Sequence, residues 1–274
     1  MLAVAKAHAY GNDFLFVPAE QAEGFRLDAL SRRLCERHSG LCGDGVIYYT
    51  VAPDGNARMK LINADGSPSE LSGNGLRCLA ALVLHQREAA RLAPLTEVRV
   101  DTDAGWKTLA LVGRQGGRYT FRAAMGHPER IAEETLEAAG EALKVTTLAI
   151  GNPQCVALVT TLPDTARFNR LGPALATHKR FAEGTNVEFA VVEAPDRVRI
   201  LIWERGVGPT HASGTGACAS AIAAAAHGAA GRDVQVIAPG GAQRVEWLDA
   251  GVYLTGWAEV VFDGHWVPAL ADVS

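Results

Sequence analysis

Two short segments place a hydroxyl beside glycines at the expected start of a helix. Ser72-Gly73-Asn74-Gly75 and Ser213-Gly214-Thr215-Gly216 each follow a strand-like run and precede a nearly uncharged helical run. A helix N-terminus exposes unpaired N–H groups and a partial positive charge, and glycine lets a ligand approach them closely. Each segment can therefore hold a carboxylate or phosphate. Two such ends on one carboxylate would also help stabilise a carbanion on the adjoining carbon. The alternative is that the glycines only permit tight turns and Ser72 and Ser213 cap their helices. Other glycine motifs are missing. The glycines between 40 and 45, and Gly206-Val207-Gly208, do not form a dinucleotide fingerprint, and there is no Walker Lys-Ser/Thr pair or Gly-x-Ser-x-Gly elbow.

The two segments belong to an internal repeat with a period of about 140 residues, too long for a solenoid and right for a duplicated domain. Gly11-Asn12 recurs as Gly151-Asn152, and His38 recurs as His178, each ending a helical pattern. Strand-like runs at 59–62 and 200–203 lie at equal distances before Ser72 and Ser213, and Val98 to Val100 corresponds to Val234 to Val236. Tyr119 and Tyr253 occupy matching late strands. Each half reads as several short strands, a helix, two strands, a second helix and three strands. Residues 76–84 carry only Arg77 as a charge, and 217–226 carry none. A helix apolar around most of its circumference is buried. The expected fold is α/β of the α+β type. It has two pseudo-symmetric domains, each a mostly antiparallel or mixed sheet curled around a buried central helix. The expected division is 1–125 and 126–262, with a ligand cleft between them. The charged, Ala-rich stretch 129–144 reads as solvated helix and loop.

Composition narrows the function. The chain has 274 residues, 48% apolar and 20% charged, with a net charge of −4, so it carries no electrostatic footprint for nucleic acid or an anionic membrane. No signal peptide and no apolar run of ~18–20 residues is found, so a cytoplasmic protein is expected. Five cysteines, an odd number without a secretion signal, read as free thiols. Cys35, His38 and Cys42 lack a second ligand pair at zinc spacing, so no metal is expected.

Seven motifs carry a resemblance. His8-Ala9-Tyr10-Gly11-Asn12-Asp13-Phe14, Asn63-Ala64-Asp65-Gly66-Ser67 and Gly73-Asn74-Gly75 with Arg77-Cys78 come from the first half. Gly151-Asn152-Pro153, Thr185-Asn186-Val187-Glu188-Phe189, Glu204-Arg205-Gly206-Val207-Gly208 and Gly214-Thr215-Gly216-Ala217-Cys218 come from the second. In this order, the sequence resembles the diaminopimelate epimerases over nearly its whole length. The resemblance implies two similar domains with the active site between them, the last residues, 263–274, returning to the first. It implies a homodimer working without cofactor on a small amino-acid substrate. The family inverts one α-carbon of diaminopimelate, from the LL to the meso isomer, for lysine and peptidoglycan synthesis. One side chain removes the α-proton and another delivers a proton to the opposite face.

Carried over by motif, the two acid/base places are Ser72 and Ser213, where the family has cysteines. The α-carboxylate falls to N–H groups of Gly73, Asn74, Gly214 and Thr215. The distal end falls to Asn63, Asn152, Asn186 and Arg205, with Asn12 nearby. Glu204 would bind the α-ammonium and assist the acid/base pair. Gln154 stands where the family has histidine, and His211 where an apolar residue is expected. Cys78, Cys155 and Cys218 read as packing residues rather than substitutes for the missing thiols.

Serine is a poor base for an α-proton. A thiol has a pKa of ~8.5 and an alcohol lies nearer water at ~15.7, a gap of ~7 units or roughly 10 kcal/mol. A helix N-terminus contributes only ~0.3–2 kcal/mol toward an anion. A serine base would need a partner such as Glu204 or His211. Three readings follow: an epimerase whose thiols have been replaced, with fold and site intact; a relative using the serines to isomerise or dehydrate another amino acid; and a non-catalytic diaminopimelate or amino-acid binder.

Overall fold

The computed structural model describes residues 1–69, 72–103 and 105–267. It forms two compact units, Met1–Ala123 with the chain from Gly256 onward, and Ala124–Thr255. The sequence reading put the division after 125 and the return at 263. The units divide slightly earlier and the return begins at Gly256. Residues 268–274 of the expected returning segment lie outside the described residues.

The first unit runs β1 (Leu2–Ala9), β2 (Asn12–Pro18), α1 (Leu27–Cys35), β3 (Gly45–Val51), β4 (Ala57–Asn63), β5 (Pro68–Ser69), α2 (Gly73–Ala89), β6 (Glu97–Asp101), β7 (Lys107–Gln115) and β8 (Arg118–Gly126). The second repeats this order with one more strand before its first helix. It runs β9 (Glu129–Ala138), β10 (Glu141–Ile150), β11 (Asn152–Leu158), α3 (Thr165–Ala176), β12 (Asn186–Ala194), β13 (Arg197–Glu204), β14 (Gly208–Thr210), α4 (Gly214–Ala226), β15 (Asp233–Ala238), β16 (Gly241–Leu248) and β17 (Gly251–Trp266). The second unit ends within β17.

The pairing repeats as well. β2 lies parallel to β3 and β4 parallel to β6, as β11 does to β12 and β13 to β15. Hairpin neighbours such as β3–β4 and β12–β13 are antiparallel. The pairing within each unit is therefore mixed parallel and antiparallel. Gly11 and Gly151 take φ +88° and +76° in the matched Gly-Asn turns, a conformation L side chains rarely adopt.

The apolar helices are buried as their composition dictates. In α2 every residue from Asn74 to Leu84 is buried, and in α4 every residue from Gly216 to Ala224. Ala217, Cys218, Ala221, Ile222 and Ala224 of α4 pack against Ile150, Val156, Ile200, Val236, Val245 and Leu254, so strands enclose the helix. The small alanines let those strands approach closely. The amphipathic helices α1 and α3 take other cores. Leu30 and Leu34 meet Leu15, Val46 and Tyr48, while Phe168, Leu171 and Leu175 meet Cys155, Val187 and Phe189.

One expectation is corrected. The stretch 129–144 is a β-hairpin, not helix and loop, with Ala138 opposite Glu141. Ala139 and Gly140 both take positive φ, 48° and 80°, as a two-residue hairpin turn requires. Leu136, Ala138, Leu143 and Val145 alternate inward onto the α3 core, and that burial outweighs the helix propensity of Glu and Ala. Glu141 faces α3 and takes the Arg167 guanidinium at 2.8 Å.

Candidate functional site

Both expected acid/base positions cap a buried helix. Ser72 Oγ accepts the Gly75 N–H at 3.1 Å, and Ser213 Oγ accepts the Gly216 N–H at 3.2 Å. Each thereby satisfies one of the donors a helix start leaves unpaired. Capping and a place beside the remaining N–H groups are compatible, because Gly73 and Gly214 put no side chain over them. A Cβ on Gly73 would meet nothing within 4 Å. Ser72 is half-buried and Ser213 is buried.

In the second unit the candidate residues converge. With the Gln154 amide oriented by its neighbours, its nitrogen donates to Glu188 Oε1 at 3.0 Å. Its oxygen accepts from Thr215 Oγ1 at 3.1 Å and Asn186 Nδ2 at 3.3 Å, and Asn152 donates to the same oxygen once its own amide nitrogen is turned inward in place of Oδ1. Thr215 Oγ1 in turn lies 3.4 Å from Ser213 Oγ. Asn186 Oδ1 accepts the backbone N–H of Arg205 at 2.9 Å. The parallel register of β11 and β12 sets Gln154 opposite Asn186. Arg205 is exposed, and its guanidinium donates to the Glu183 carbonyl at 2.7 Å. Asn152 and Gln154 border a recess of about 550 Å³ that Arg180 and Gly184 also line. Arg205 lines a second, of about 340 Å³. His211 is exposed, and its carbonyl accepts the Gly240 N–H.

Glu188, on the same motif as Asn186, is a fully buried carboxyl of this unit. It is fully enclosed beside α4. Burial pushes its carboxyl well above the usual carboxylate range, and the neighbouring Glu204 carboxylate pushes the same way. The sequence signal was present: in Thr185-Asn186-Val187-Glu188-Phe189, Asn186 and Glu188 share one face of a strand.

The first unit brings together fewer of its candidates. Asn74 Nδ2 donates to Asn12 Oδ1 at 3.0 Å, and Asn12 Nδ2 donates to Asp44 Oδ2 at 2.5 Å. Asn63 instead donates to Ser67 Oγ at 3.0 Å and forms a turn with the segment after it. The remaining thiols do not replace the missing pair. Burial raises the Cys78 and Cys155 thiols and pushes Cys35 up to about 12, and Cys218 is buried as well. Among the described residues no cluster of three His, Cys, Asp or Glu could hold a metal ion, and no helix is long and apolar enough to cross a membrane.

The chain is similar to known proteins over nearly its whole length. The family model for diaminopimelate epimerase matches residues 4–131 and 146–261. The diaminopimelate epimerase of Desulforudis audaxviator is 41% identical over 96% of this chain and 99% of its own length. That of Desulfitobacterium hafniense is 38% identical over 95% and 96%. Among solved structures, a probable proline racemase from Agrobacterium radiobacter superposes with a TM-score of 0.69 at 15% identity, over 99% of this chain and 94% of that one. A hydroxyproline epimerase from Agrobacterium vitis gives 0.66 at 16%, over 96% and 90%. At these identities the two structures speak to the fold alone.

Proposed function

Since the chain belongs to the diaminopimelate epimerase family, we propose that it is a cofactor-independent isomerase of 2,6-diaminopimelate, with turnover limited by Ser72 and Ser213. The reaction interconverts the LL and meso isomers by proton transfer at one α-carbon. The observation that carries this reading is the repeated helix start, a serine-capped, glycine-opened N-terminus in each unit.

In this reading the two units close on one substrate. N–H groups of Gly73, Asn74, Gly214 and Thr215 take the α-carboxylate, and both helix starts stabilise the charge that develops when the α-proton leaves. Ser72 and Ser213 stand on opposite faces of the α-carbon. Glu204 takes the α-ammonium. Asn63, Asn152, Asn186 and Arg205 read the distal amino-acid end, with Asn12 alongside. Each serine already accepts one helical N–H, and that bond is far too weak to close a gap of ~7 pKa units between alcohol and thiol. The hydroxyls stay protonated and the inversion is slow. The same reading makes the protein a cytoplasmic homodimer.

A second reading has its own support. Gln154 is tied to a buried carboxylate, which fits a relative that uses the serines to isomerise or dehydrate another amino acid.

The test is solvent exchange. LL-diaminopimelate in D2O with the unaltered protein should keep its α-proton signal and yield little meso isomer. Ser72→Cys with Ser213→Cys should raise exchange by orders of magnitude, and either single change much less, because inversion needs both an acid and a base. Rapid exchange by the unaltered protein would mean that serine is no impediment, and Glu204 or His211 would become the base. A double-cysteine variant that binds diaminopimelate without exchanging it would favour the second reading.

A further inference from the structure

The hydrogen bonds around Gln154 run in one direction. Asn186 Oδ1 is occupied by the Arg205 N–H at 2.9 Å, so the Asn186 nitrogen must face Gln154. An amide presents an acceptor on one side and donors on the other, so the Gln154 oxygen meets that nitrogen and its own nitrogen turns to Glu188. The same oxygen takes the proton of Thr215 Oγ1 at 3.1 Å. A hydroxyl has one proton. Thr215 having spent its proton, the donor of the 3.4 Å contact with Ser213 is the Ser213 hydroxyl.

We infer that Glu188 is a positioning residue for Ser213: it receives the Gln154 nitrogen, holding the amide in the orientation that Asn186 sets, and through Thr215 it orients the Ser213 hydroxyl. One Ser213 lone pair accepts the Gly216 N–H, and the other remains open to a hydrogen-bond donor. The chain is packed in place. Glu188 is fully buried, and a Cβ on Gly216 would lie 2.6 Å from its Oε1 and 3.2 Å from Ser213 Cβ. Glycine at 216 is therefore what lets a carboxylate sit beside the capping serine. The first unit has no such chain at the corresponding places, where Phe14, Gly45 and Ile47 stand instead of Gln154, Asn186 and Glu188. The two acid/base positions are thus unequal: a hydrogen-bond chain that ends on a buried carboxyl orients the Ser213 hydroxyl, and the apolar residues behind Ser72 offer no such chain.

Titration of Glu188 would change how firmly this chain is held. A carboxylate only accepts, whereas a protonated carboxyl is a weaker acceptor for the Gln154 nitrogen and can also donate. Glu204 on β13 and Cys155 on β11 are the titratable groups that bear on Glu188, and α4, which carries no titratable residue but Cys218, meets it at Gly216.

The inference rests on the epimerase reading for the role of Ser213, and the experiment separates the two. In protein labelled with ¹⁵N-glutamine, the Gln154 side-chain resonance is identified by its loss in Gln154→Met. It should shift once with pH, above the ordinary carboxylate range, and lose that shift in Glu188→Gln. This arm needs neither substrate nor turnover. In the Ser72→Cys, Ser213→Cys protein, adding Glu188→Gln should lower kcat for diaminopimelate exchange about tenfold, leave KM within about twofold, and change the pH profile. Thr215→Val should match it, while Thr215→Ser restores the rate. A Gln154 resonance indifferent to Glu188→Gln, or an unchanged kcat in the folded variant, overturns the inference. A double-cysteine protein that does not exchange diaminopimelate, while Gln154 still titrates with Glu188, overturns the substrate reading alone.

Discussion

At the start of α2, Ile47 lies against Gly75; at the start of α4, Glu188 takes the corresponding place against Gly216. A Cβ on Gly75 would come within 2.9 Å of Ile47 Cδ1, and one on Gly216 within 2.6 Å of Glu188 Oε1. The strand pairing, the capping serine and the glycines are the same. The difference lies in three inward positions, where Phe14, Gly45 and Ile47 of one unit answer to Gln154, Asn186 and Glu188 of the other. Duplication supplies two similar helix N-termini, and side chains behind each decide what its serine can do. A backbone plan can thus stay symmetric while its chemistry becomes one-sided.

The largest expected effect comes from moving the buried charge across. Ile47→Glu would put a carboxylate among Phe14, Phe16 and Leu61, with no amide to receive it. It should cost more than about 4 kcal/mol, because an unpaired buried charge is among the most destabilising changes. Glu188→Ile removes a buried carboxyl rather than adding one and leaves the Gln154 nitrogen unpaired, so it should cost about 1–3 kcal/mol. Urea denaturation compares the two. Equal costs would mean that the two helix starts do not differ in polarity as their side chains indicate.

The glycines give the next test. Gly216→Ala forces the fully buried Glu188 carboxylate aside and should cost about 1–3 kcal/mol, the usual range for overpacking. Gly75→Ala meets the tip of an apolar side chain, and alanine's helix preference of about 1 kcal/mol offsets part of the strain. Its net effect should stay within about 1 kcal/mol. Thermal unfolding of both variants settles the order, and a larger loss for Gly75→Ala would reverse the comparison.

Much of this architecture was legible in the chain. The repeat, the uncharged second helices and the alternating strands fixed the α+β character because each rests on a local pattern. The hairpin at β9 and β10 was not, because its Glu and Ala residues favour helix locally and only packing on α3 selects strand. Asn63 shared a motif with turn residues, and it forms that turn. Glu188 was hidden for another reason. A single glutamate in a strand reads as surface until its place is compared with Ile47, and only the fold shows that both face a helix start.

The pH dependence of stability isolates Glu188. Its carboxyl is raised in the folded protein, so the unfolded chain releases this proton first as pH rises through about 4.3. From there up to the folded pKa the native state binds more protons. Stability therefore falls with rising pH, by at most about 1.4 kcal/mol per unit. Glu188→Gln should remove that slope, while Ile47→Gln should not. Chemical denaturation at several pH values measures it. Parallel profiles for the unaltered protein and Glu188→Gln would show that this carboxyl is not raised.

The smallest effect asks whether the two caps are equal. Ser72→Ala removes the acceptor of the Gly75 N–H and should cost about 1 kcal/mol, as cap losses generally do. Ser213→Ala removes the matching acceptor of the Gly216 N–H and also the hydroxyl beside Thr215 Oγ1. The second contact is long at 3.4 Å, so its loss adds only about 0.5 kcal/mol, the low end for a neutral hydrogen bond. The excess should disappear in a Thr215→Val background, where Ser213 has no threonine hydroxyl to donate to, and Ser72→Ala should be indifferent to that change. A double-mutant cycle by urea denaturation reads the difference directly. Coupling between Ser213 and Thr215 supports the directed chain in the second unit. If Ser213 and Thr215 are additive, Ser213 is a cap of the same kind as Ser72, and the inequality between the two helix starts ends at Gln154.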